Sequence, residues 1–270
     1  MEVSRQRAGT VGAGSTVRVA AREERVARAG EILTIRPPGT PIIAALVTAI
    51  VLALVILGSI ATYFVYQGWI FFGDEQFERL FYLDRELGVP ATVSVLGLLA
   101  CSLVLAVLTA ARHHAGYGFV RHWAGLSLGF AYLAVDEGAA VHEVMTAALN
   151  GLPAIDQYAF LNRAWVIAGS IASLVVGIVY IPFLRHLPRL YAIGFAAAGV
   201  MYVGGAVGFE MLSADAHADL ASIRYMIFMV TEETLEMAGI GLFFVLLWSL
   251  ASRTPWRIES PALDESRQTD

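Results

Sequence analysis

Six continuous apolar runs, each near the ~20 residues a helix needs to cross a bilayer, constrain this chain more than any other feature. They fall at about 41–66, 89–111, 122–145, 164–184, 190–212 and 225–250. Inside a bilayer every backbone N–H and C=O must find a partner within the protein, so only helices and closed barrels span it. These runs lack the short alternating segments of a barrel. The expected fold is therefore all-α, a polytopic membrane helix bundle with six transmembrane helices. Composition agrees: 57% of residues are hydrophobic and 15% charged, against roughly 25% charged in a soluble domain.

The apolar region, 38–253, lies between two polar tails. Residues 1–37 hold seven arginines, Arg5, Arg7, Arg18, Arg22, Arg25, Arg28 and Arg36, and read as a disordered, Arg-rich cytosolic tail. Residues 254–270 form the second tail. The first apolar run is too long for the core of a cleavable signal. The positive-inside rule then orients the bundle. With the amino-terminal tail inside, Arg112, Arg121, Arg185, Arg189, Arg253 and Arg257 are also inside, and only Arg79, Arg85, Arg163 and Arg224 are outside. Both termini are expected in the cytosol, with the chain in a bacterial cytoplasmic (inner) membrane. Residues 67–88 become an outer loop. Phe77 and Phe81 stand four apart in it, a spacing that suits a helix lying in the interface.

Several function classes are excluded. All 18 basic residues are arginine, so no lysine nucleophile or Schiff base is available. The single cysteine, Cys101, can form no internal disulfide and sits in an apolar run. The net charge of −5 gives no basic face for nucleic acid, and no nucleotide or flavin motif is present. The expected partners are the lipid bilayer, a small-molecule or ion substrate, and further copies of the chain.

The unusual feature is a set of ionisable residues inside the apolar runs. The third run contains Asp136, Glu137, His142 and Glu143, the fifth ends at Glu210, and the sixth contains Glu232, Glu233 and Glu236. Each such group costs roughly 2.5–3.5 kcal/mol at the centre of a membrane helix, so together they must face the bundle interior and be paired, protonated or metal-bound. At ~1.5 Å per residue, the acids of the third and sixth helices occupy overlapping slices of the outer half of the membrane. On a continuous third helix, Asp136 and Glu143 share a stripe, with Glu137 and His142 on its flanks. Glu232 and Glu236 share a face of the sixth helix. Asp136, Glu143, Glu232 and Glu236 are therefore the expected inner set, and Glu137, His142, Glu233 and Glu210 support or replace them.

Several carboxylates with one imidazole suit a divalent metal, Mn, Fe or Zn, or a two-metal site. The single His leans toward Mn, Fe or Ca rather than a structural zinc, and HExxH is absent. A membrane metalloenzyme is the first expectation. A proton- or cation-coupled transporter using the same acids is the second, and a structural protein with shared-proton carboxyl pairs the third. His113, His114, His122 and His186 read as headgroup contacts. Asp215, His217 and Asp219 alternate in the last outer loop, with a spacing suited to an additional ligand.

The pattern Asp136-Glu137-x4-His142-Glu143 with Glu232-Glu233-x2-Glu236 resembles a loose group of uncharacterised bacterial multi-pass membrane proteins. The resemblance covers the helical core. It implies a six- or seven-helix fold in the bacterial envelope and no particular activity.

Overall fold

The computed structural model describes residues 38–70, 75–150, 165–213 and 222–253, with side chains excepted at 148–150. The two polar tails, part of the first outer loop and the Asp215–His217–Asp219 motif lie outside the described residues. Every described element is helical. In chain order these are α1 (Thr40–Gln67), α2 (Gln76–Phe81), α3 (Val89–His114), α4 (Val120–Ala139), α5 (Val141–Asn150), α6 (Trp165–His186) and α7 (Arg189–Val203). A π-helical stretch, Gly204–Phe209, follows α7 directly and leads into α8 (Glu210–Ser213) and then α9 (Ile223–Ser252).

Among the described residues, five helices are long and apolar enough to cross a membrane: α1, α3, α6, the continuous Arg189–Ser213 unit, and α9. They match five of the six expected runs to within a few residues. Their large aliphatic side chains are widely exposed. Ile171, Leu174, Val175, Ile178 and Val179 face outward on α6 alone. So much exposed apolar surface is incompatible with water on all sides and is the surface of an integral membrane protein. The third expected run differs. It is not one helix but two, broken at Ala140, whose backbone is left-handed (φ 50, ψ 41).

α3 and α4 form an antiparallel hairpin across a short turn containing Gly116 (φ 69) and Phe119 (φ 63). Midway along it the Ser102 hydroxyl donates to the Ser127 carbonyl oxygen (2.8 Å), and the Ser127 hydroxyl donates to the Ser102 carbonyl oxygen (2.9 Å). Small hydroxyl residues of this kind join helices where water is absent. α9 is the central element and packs along α7 and α1. Gly239 makes the α7 contact possible, because a Cβ there would stand 2.9 Å from both the Ala198 carbonyl oxygen and the Tyr202 nitrogen.

The bundle has two chemically distinct ends. At one end lie Arg112, Arg121, Arg185, Arg189 and Arg253, at or beside helix termini. The adjoining half of the interior is an apolar core that includes Leu105, Trp123, Phe183, Phe195, Phe243 and Leu247. His122 and His186 stack there on Phe183 and Phe119, so they are built into an aromatic wall. The opposite end carries the acids.

Candidate functional site

The break at Ala140 builds the site. In an unbroken helix the His142 N–H would bond the Gly138 carbonyl. Here it donates instead to the Asp136 side chain, Oδ1, at 2.9 Å. The same carboxylate's Oδ2 lies 3.4 Å from His142 Nδ1. One aspartate thus holds both the backbone and the ring of the histidine. The ring also packs against Trp165, the first residue of α6, at 5.1 Å between centroids. The stripe expected from a continuous helix is lost, and in its place the chain turns His142 back onto Asp136.

The turn brings in a residue that sequence reasoning missed. Glu86, His142 and Glu143 each offer a ligand atom, and those atoms all lie within 4.8 Å of one another. Glu86 sits three residues before α3, and the antiparallel hairpin sets the start of α3 level with the end of α4. That topological signal was available, but a search restricted to the apolar runs passes over it. Burial, and next the nearby Glu143 carboxylate, raise the Glu86 carboxyl above its ordinary range, with His142 opposing.

A second group lies deeper. Glu233 and Glu236 on α9 are within electrostatic reach of Glu137 on α4 and of Glu232, and Asp136 and Tyr202 join the same set. All of these side chains are half-buried. At ~1.5 Å per residue, Glu233 and Glu236 stand roughly 15–20 Å along α9 from its start. The π-helical stretch packs directly on them. A Cβ at Gly205 would lie 2.8 Å from the Glu232 carbonyl oxygen and 2.9 Å from Glu236 Cγ. π-bulges frequently mark functional positions.

The expected inner set of Asp136, Glu143, Glu232 and Glu236 is therefore divided. Glu143 belongs to the outer group with Glu86 and His142, while Glu137 and Glu233 stand with Glu236 in the deeper one. Asp136 connects the two. Glu210 opens α8, where its carbonyl accepts from the Ser213 hydroxyl. Below the deep group the interior closes: Leu98, Ala134 and Ile240 are buried against one another, with Phe130, Leu133 and Tyr202 around them.

The loop before α3 is tied to α9 as well. The Tyr225 hydroxyl donates to Asp84 Oδ2 at 2.9 Å, and the Tyr82 hydroxyl approaches the same oxygen at 3.3 Å. Burial, with the Asp84 carboxylate beside it, raises the Tyr82 phenol well above its usual range and keeps it a donor.

A domain of unknown function, DUF8692, matches residues 44–250. The chain belongs to the DUF8692 family. The DUF8692 region begins inside α1 and ends inside α9, so it includes every acid of both groups and neither polar tail. No curated protein and no solved structure matches the chain.

Proposed function

We propose that this DUF8692 protein holds a divalent cation at Glu86, His142 and Glu143, at the acidic end of a membrane bundle. The observation that carries the reading is the convergence of these three ligand atoms around a histidine already oriented by Asp136. A carboxylate on one ring nitrogen fixes the tautomer of a metal-binding imidazole and leaves the other nitrogen for the ion. Two carboxylates and one imidazole suit Mn, Fe or Zn, and the separations also admit a larger, oxygen-preferring ion at ~2.3–2.6 Å. The bound ion would act as a Lewis acid or lower the pKa of a bound water, with a deeper carboxylate such as Glu137 placed to take the proton.

The apolar floor of Leu98, Ala134 and Ile240 supports a one-sided site over transport, because a conducted ion or proton needs a polar route through the other half. The distribution of arginines supports an orientation with the Arg-rich end and both termini in the cytosol, so that the acidic end faces outward in a bacterial inner membrane. In that arrangement α4, continued by α5, is the sixth crossing. The motif shared by the acids supports grouping this chain with the multi-pass bacterial proteins it resembles.

Elemental analysis of the full chain, purified in detergent after supplementation with Mn, Fe and Zn, tests the reading. The expected result is about one ion per chain in the wild type, lost in His142→Ala and in Glu86→Gln, and retained in Glu210→Gln. A metal-free wild-type protein that is folded by gel filtration refutes it.

A further inference from the structure

A separate cavity of about 400 Å³ lies at the acidic end, where α1 stops and α2 begins. Trp69 and Tyr82 line it together with Glu75, Glu78, Arg79 and Arg85. Its size falls within the ~300–1,000 Å³ common for small-ligand sites. Its chemistry is balanced, with two guanidiniums, two carboxylates and an aromatic wall. Glu78 is buried at 8% exposure. Arg79 uses one Nη for Glu75 at 3.0 Å, and a guanidinium carries five N–H donors in all.

We propose that this cavity binds the zwitterionic headgroup of a phospholipid, with the phosphate on Arg85 and Arg79 and the ammonium on Glu78 and the Trp69 face. Guanidinium forks match phosphate oxygens, and a cation is attracted both to a carboxylate and to an indole face. An anionic headgroup satisfies only half of this lining and meets two carboxylates. The position supplies the rest of the argument. Trp and Tyr collect where hydrocarbon meets headgroups, and below the cavity α1 exposes Ile60, Tyr63 and Val65, an apolar track on which acyl chains lie. A soluble phosphate–amine compound offers the same polar chemistry but gains nothing from that track. The cavity shares no residue with the three proposed cation ligands, so the two readings stand or fall independently.

Native mass spectrometry of the full chain in detergent provides the test, with phosphatidylethanolamine and phosphatidylglycerol of identical acyl chains titrated in parallel. Phosphatidylethanolamine is expected to bind more tightly. Arg85→Ala and Glu78→Gln should each weaken it by about tenfold, the scale of one charge-assisted hydrogen bond. Arg224→Gln, at the same end but outside the cavity, should leave it unchanged. Each variant is first shown to retain the wild-type melting temperature; if Glu78→Gln does not fold, Arg85→Ala alone decides. Equal binding of the two lipids, or undiminished binding by Arg85→Ala, overturns the proposal. Displacement of the lipid by equimolar soluble phosphoethanolamine overturns the lipid assignment and points to a free solute.

Discussion

Gly239→Ala should loosen the bundle at its centre. The added methyl carbon would stand 2.9 Å from the Ala198 carbonyl oxygen, 2.9 Å from the Tyr202 nitrogen and 3.1 Å from Tyr202 Cβ. The first two are backbone atoms of α7 and cannot swing aside, so α7 and α9 must separate. Inserting one carbon into a packed interior costs about 1–3 kcal/mol, and two rigid contacts place this site in the upper half of that range. Against it stands the helix-propensity gain of Ala over Gly, about 1 kcal/mol. The net loss is about 1–2 kcal/mol. For a domain of this size each kcal/mol moves the midpoint by roughly 2–4 °C, giving a fall of roughly 2–8 °C. Gly177→Ala on α6 is the control, since a Cβ there meets nothing within 4 Å and only the propensity gain remains. Thermal gel-filtration scans of the two variants in one detergent decide the matter. If Gly239→Ala melts at or above Gly177→Ala, the close approach of α7 and α9 is wrong.

Three other outcomes follow from the site. Tyr225→Phe removes the 2.9 Å bond to Asp84; a bond to a charged acceptor contributes about 1.5–3 kcal/mol, so the melting midpoint should fall while gel filtration stays unchanged. Ala140→Gly relieves a left-handed backbone that costs a non-glycine residue about 1–2 kcal/mol, so this variant should melt higher and Ala140→Val lower. The raised Glu86 carboxyl sets a pH dependence. Its contribution to stability is full below the unfolded pKa and is lost as pH rises through the folded one, whereas cation binding needs the charged form. Metal affinity, followed by calorimetry across pH, should therefore fail at a higher pH than an ordinary carboxylate would set, with Glu86→Gln showing no binding at any pH.

The spanning helices were legible because membrane helices have no other way to satisfy their backbone. Thr40–Gln67, Val89–His114 and Trp165–His186 follow the apolar runs almost residue for residue. The break at Ala140 was not legible. Gly138-Ala139-Ala140 holds no proline, and alanine is the strongest helix former. What stops the helix is a local competition, in which the Asp136 carboxylate takes the His142 N–H that the Gly138 carbonyl would otherwise accept. The His142 ring also rests on Trp165 of α6, a contact that no local window of sequence contains. The acids themselves were readable from their cost in an apolar run. Their partition into two groups was not, because it follows from the break, and Glu86 escaped notice because a carboxylate in a polar loop carries no such cost.

The reciprocal serine contact between α3 and α4 bears on how the chain enters the membrane. α4 carries His122, Asp136 and Glu137 within twenty residues and is not among the five strongly apolar helices. A translocon meeting α4 alone would find a poor substrate. α3 is strongly apolar, emerges immediately before it, and is joined to it by a turn of only five residues. Ser102 and Ser127 let the second arm exchange water for its neighbour's backbone as soon as the two meet. The hairpin is better suited than the single helix to enter the membrane as one unit, with Asp136 and Glu137 of α4 carried alongside α3.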